Sequence, residues 1–272
     1  MVSYPDPYLK PPGATEPLPP AAPATAPPRD PVWSGWDVLL LAAVAILGIF
    51  LFSTVGIFVL VAKTPGHKPP DAGDVTPIAL MAQLLAYLAV VGVMYLVVVV
   101  RYRRKFWEAV RWRWPVETTA APALVVAGAV IALLVQWLSA WLPVPKSLPI
   151  YEFLKDTYAA YLMAAFGTLV APFVEEMFFR GFLYPVLSRK AGVAAGVVLT
   201  SIGFALIHSS QLANHWAPLL VLFVVGLTFT LARAWTGSVA VPFLLHLGYN
   251  GALFTLLYIS TDRFRHMERM LQ

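Results

Sequence analysis

Apolar residues in this chain come in long unbroken runs rather than at the three- and four-residue spacing of a surface helix. A helix that crosses a bilayer needs about 20 apolar residues. Residues 38–62 and 78–100 meet that length, with a polar loop at 63–77 between them. A third run covers 120–142 and leaves through Pro143-Val144-Pro145. A fourth starts near Tyr158, a fifth covers 193–208, a sixth 218–234 and a seventh 239–259, with Gly237 turning the chain between the last two. The expected fold is all-α, a polytopic transmembrane helical bundle of about seven or eight spans.

Outside the spans the pattern changes character. Residues 1–31 hold eleven of the 24 prolines among Ala and Thr. Proline removes an amide donor and clashes with the preceding helical turn, so this stretch reads as a disordered tail of polyproline character. After the second run comes Arg101-Tyr102-Arg103-Arg104-Lys105, with Arg111 and Arg113 close behind. Basic residues flanking a span mark the cytoplasmic side, which places the N-terminus there as well. Trp107, Trp112 and Trp114 suit an amphipathic segment lying in the interface. Seven spans put the C-terminus outside, yet Arg263, Arg265 and Arg269 favour the inside, so eight spans stay open. The organisation expected is a tail (1–31), N-terminal helices with a basic loop (32–157), a core (158–259) and a C-terminal tail (260–272).

Composition agrees with the pattern. Hydrophobic residues make up 59% of the 272 and charged residues 12%, against about 25% charged in a soluble domain. The net charge of +5 belongs to loops beside apolar runs. No basic stripe with interleaved aromatics suggests nucleic acid. With no cysteine, disulfides, thiolate metal sites and a cysteine nucleophile are excluded. The first apolar run starts too late for a cleavable signal peptide. The short chain and proline-rich tail read as a multi-pass protein of a bacterial inner membrane.

Against this background a few polar residues stand out. The fourth run is apolar except at Glu175, Glu176 and Arg180, although a charge at mid-bilayer costs about 2.5–3.5 kcal/mol even on insertion scales. Glu176 and Arg180 are four apart and can pair on one helix face. Glu175 points about 100° away and has no partner in its own helix. Phe204 and His208 are four apart in the fifth run, and His246 and Asn250 four apart in the seventh. A carboxylate, two imidazoles and a carboxamide around one watered point suit hydrolysis: a base for water, a proton carrier and donors to an oxyanion. Gln83 and Gln136 read as helix-packing hydrogen bonds, and Asn214 and His215 as loop residues.

These three elements, Glu175-Glu176-x-x-x-Arg180, Phe204-x-x-x-His208 and His246-x-x-x-Asn250, resemble the motifs of the CAAX-protease and bacteriocin-processing family of intramembrane proteases, also called type II CAAX prenyl endopeptidase-like. Phe179-Arg180-Gly181-Phe182-Leu183-Tyr184 and Thr236-Gly237-Ser238 add to the likeness, which covers about residues 158–255. The resemblance implies an endopeptidase in which Glu175 and His208 activate water while His246 and Asn250 bind the oxyanion, with Glu176, Arg180 and Phe204 in support. It implies a membrane-associated protein or peptide substrate, and a metal-free mechanism. Zinc held by Glu175, His208 and His246 is the alternative, although no His-Glu-x-x-His is present. A non-catalytic immunity factor or scaffold is the rival function.

Depth along the bilayer adds one expectation. At about 1.5 Å per residue, Glu175 reaches the level of His208 only if the fourth helix continues to about Leu187, with Pro185 as its kink. If the helix stopped at Gly181, the two groups would be roughly 13 Å apart in depth.

Overall fold

The computed structural model describes residues 30–63, 71–115, 117, 119–145 and 148–268; the proline-rich tail lies outside them, apart from its last two residues. The regular elements among the described residues are all helices, with no strand. Helix α1 is Gly35–Lys63, and α2 is Ala72–Tyr95, continuing as a π-helical turn over Leu96–Arg101. Helix α3 is Ala120–Ser139, α4 is Thr157–Ala191, α5 is Val193–Ile207, α6 is Trp216–Thr236 and α7 is Ala240–Ser260. Six of these, all but α5, are long and apolar enough to cross a membrane. Large side chains such as Phe50 and Phe58 of α1 are 71% and 73% exposed, as expected where lipid replaces water as the neighbour. The chain is a multi-pass integral membrane protein.

Several boundaries differ from the sequence pattern, each for a local reason. The second helix starts at Ala72, before Pro77, because Asp71 and Asp74 form a reciprocal capping box ahead of the apolar run. The fifth helix keeps the expected bounds within one residue, and its 15 residues rise about 22 Å, short of the roughly 30 Å hydrocarbon core. The tryptophan segment is helical for one turn, Phe106–Ala109. Instead of lying free in the interface, Trp112 packs its ring against Phe173 and Phe243. The chain after α7 folds back, burying Phe264 and Met267 with Leu154 and Ala160.

Helix α4 organises the bundle. Its N-cap is Asp156, whose side chain accepts from the Ala159 amide at 2.8 Å. It then runs for 35 residues, through the expected Leu187, by taking two π-helical stretches, Phe166–Val170 and Met177–Leu183. Pro172 and Pro185 each stand in the first turn after one of these stretches. There the change of hydrogen-bond register accommodates a residue without an N–H. A carbonyl freed in a membrane must find another donor. Three in these stretches accept from side chains: Gly167 from Asn250 Nδ2 at 2.7 Å, Arg180 from Arg233 Nε at 3.1 Å, and Phe182 from Trp33 Nε1 at 3.0 Å.

The other helices pack around this one. Helices α1 and α2 lie together, closed at one end by Asp37. That carboxylate accepts from Ser34 within its own cap and from Arg101 and Tyr102 at the end of α2, at 2.7–2.8 Å. Helices α3 and α7 cross with their backbones touching: a Cβ on Gly128 would stand 2.0 Å from the Leu245 carbonyl oxygen, and one on Gly248 would stand 1.9 Å from that of Val125. Gly237 adopts a φ of +66° and turns α6 into α7, as the sequence suggests.

Candidate active site

The buried charges of α4 form the floor of the site. Glu176 and Arg180 are fully buried and joined at 2.9 Å, Arg180 Nη1 donating to Glu176 Oε1. The same guanidinium donates to Thr230 Oγ1 at 3.2 Å and to the Gly226 carbonyl at 3.0 Å. It also lies 4.6 Å over the Phe204 ring. Four partners from α4, α5 and α6 thus hold one cation in an apolar interior, where an unpaired charge would be expelled. The pair expected from the i, i+4 spacing is present, with α6 supplying the remaining acceptors and α5 the ring face.

Glu176 has a second task. His246 of α7 donates from Nδ1 to the same Oε1 at 2.9 Å. That contact sets the ring orientation and turns Nε2 toward Glu175, 3.9 Å from its Oε2. Such a carboxylate behind an imidazole fixes both tautomer and aim. The rings of Phe204 and Phe229 flank His246, with centroids 5.8 and 5.0 Å away.

Glu175 is 9% exposed and makes no ion pair with Arg180. Its Oε1 accepts instead from the Tyr87 hydroxyl of α2 at 3.2 Å, and Gln83 donates to that hydroxyl at 2.9 Å. Sequence reasoning missed this contact. Gln83 and Tyr87 are polar groups four residues apart in an apolar span, which is the signal that could have found it.

The remaining candidates arrive at different addresses. His208 follows the last residue of α5; its Nδ1 donates to the Phe204 carbonyl at 2.8 Å, and its ring lies 5.1 Å from the Phe204 ring. Phe204 therefore separates the two imidazoles and touches both. Asn250 is held by the Gly167 carbonyl. The structure joins Glu175, Glu176, Arg180 and His246 around α4, and connects His208 to them through Phe204. Among the described residues, no group of three His, Asp or Glu side chains is placed to hold a metal ion; the contact of His246 with Glu176 engages Nδ1 alone and leaves Nε2 available.

Fold and site together define a helical membrane protein with a buried carboxylate–imidazole cluster shared among its C-terminal helices. Residues 157–262, the segment carrying that cluster, match the family described as type II CAAX prenyl endopeptidase Rce1-like. The chain is also similar to the membrane-embedded CAAX protease MroQ of Staphylococcus aureus (strain USA300), with 31% identity over 100 residues. That similarity covers 34% of this chain and 38% of the length of the relative. No solved structure matches.

Proposed function

We propose that the chain is an intramembrane endopeptidase that hydrolyses a peptide bond of a membrane-associated protein or peptide, with water activated by Glu175. One observation carries this reading. The buried cation is already matched by Glu176, so Glu175 is a second carboxylate in the same apolar interior, uncommitted to any ion pair with it and faced by an imidazole at 3.9 Å. Structure alone has no need of it; a general base does.

In the proposed reaction, the water oxygen adds to the scissile carbonyl carbon and its proton passes to Glu175. The tetrahedral intermediate then collapses, and the leaving amine takes a proton back. In its neutral form His208, with Nδ1–H given to Phe204, keeps its lone pair on Nε2 and can relay that proton. His246 and Asn250 serve the oxyanion. Asn250 has a second N–H beyond the one given to Gly167; His246 donates from Nε2 when its ring carries both protons. Family and relative support the reaction class. The basic cluster after α2 supports a cytoplasmic N-terminus, and the bacterial relative supports a bacterial cytoplasmic membrane.

The test is terminal proteomics of membrane fractions from cells carrying the wild-type chain or Glu175→Gln. New protein termini should appear with the former and vanish with the latter, at equal membrane levels of the two proteins. A Glu175→Gln protein that inserts normally and yields the same termini at the same rate refutes the assignment.

A further inference from the structure

Tyr87 belongs to α2, outside the segment 157–262 that matches the protease family, yet its hydroxyl is the hydrogen-bond donor to Glu175. Resting on the protease reading above, we infer that Tyr87, backed by Gln83, is a positioning residue for Glu175, so that the N-terminal helices complete the site.

Three observations lead there. First, the contacts divide the carboxylate: Oε1 is taken by Tyr87 at 3.2 Å, while Oε2 is the oxygen nearest His246 Nε2, at 3.9 Å. Tyr87 therefore fixes the rotation of the carboxylate and leaves the other oxygen toward the imidazole. Second, the phenol is itself held on two sides. Its ring stacks on Phe166 at 5.9 Å and 23°, and its oxygen accepts from Gln83 Nε2 at 2.9 Å, which leaves the hydroxyl proton directed at Glu175. Third, Phe166 opens the first π-helical stretch of α4, the stretch that also anchors Asn250 through Gly167. One irregular turn thus locates the tyrosine on one side and the asparagine on the other. A carboxylate 9% exposed would otherwise leave Oε1 without a donor in an apolar wall.

Tyr87→Phe removes the hydroxyl and keeps the ring. It should insert and melt like wild type, because the stack on Phe166 survives. With an internally quenched peptide spanning the cleavage site mapped by the Glu175→Gln comparison, kcat should fall by about tenfold to a hundredfold, the worth of one hydrogen bond to a charged group, with KM unchanged. In the Glu175→Gln background the same change should add nothing. A second measurement is independent of turnover: the infrared carboxylate band that disappears in Glu175→Gln should shift in Tyr87→Phe. An unshifted band, or a wild-type kcat beside a shifted one, overturns the inference. Persistent cleavage by Glu175→Gln would instead overturn the protease reading, and the band shift would still report on the contact.

Discussion

Glu176→Ala separates what holds the bundle together from what aims its histidine. The substitution deletes one oxygen that serves two donors, Arg180 Nη1 and His246 Nδ1, each at 2.9 Å. Arg180 stays fully buried and retains Thr230, the Gly226 carbonyl and the face of Phe204, but none of these carries negative charge. Breaking a buried pair by removing one partner costs about 3–5 kcal/mol. At about 2–4 °C per kcal/mol for a chain of this size, the melting midpoint in detergent should drop on the order of 10 °C. Adding Arg180→Ala removes the stranded cation, so the double variant should melt above either single variant. Cleavage should not return with it, because His246 still lacks the acceptor that turns Nε2 toward Glu175. Thermal melts of the three variants, each paired with the peptide assay, decide the matter. Additive losses in the double variant would show that the two side chains do not interact, and full recovery of cleavage would show that Glu176 does not orient His246.

Two further outcomes follow from backbone geometry. Gly248→Ala would put a Cβ 1.9 Å from the Val125 carbonyl oxygen; reaching an ordinary separation of about 3.3 Å requires α3 and α7 to part by about 1.4 Å. Displacements of about 1 Å can cost about a hundredfold in rate, so cleavage should collapse with a lowered melting midpoint, and wild-type values for both would reject the crossing. Cysteines at Leu183 and Leu187, in a chain with no native thiol, should resist a membrane-impermeant maleimide added to either side of the membrane. Ready labelling at both would place the end of α4 in water.

The all-helical class and most spans were legible because lipid demands long apolar runs, and such runs survive in sequence whatever their partners. The Glu176–Arg180 pair was legible because i, i+4 spacing is a property of one helix. What escaped depends on two helices at once. Nothing in the local pattern sends Asn250 to the Gly167 carbonyl, since that acceptor comes from a π-helical turn that periodicity does not report. Tyr87 sits 88 residues from Glu175, and its contact exists because α2 and α4 happen to pack there. The bounds of α5, by contrast, were legible: the helix ends at Ile207, one residue short of the expected 193–208, where the backbone turns over Leu206–Ser209.

The two adjacent glutamates show how one helix can hold two carboxylates side by side in different surroundings, one structural and one that suits the proposed base. Glu176 faces the guanidinium, so the floor of the site is near neutral and its charge is spent on cohesion. Glu175, one residue earlier and about 100° around the helix, meets a neutral phenol and an imidazole instead. The π-helical turn begins directly after them, at Met177. It changes the hydrogen-bond register between the glutamates and the rest of the helix, and Arg233 and Trp33 take up carbonyls within it. Those two donors come from α6 and from the segment before α1, so the irregular backbone is clamped from opposite ends of the sequence. A turn fixed this way cannot shift without breaking contacts in both, which holds Glu175 at one angle to His246. The N-terminal part of the chain lies outside the segment that matches the family, yet it contributes to that rigidity through Trp33, ahead of α1, and to the carboxylate itself through Tyr87 of α2.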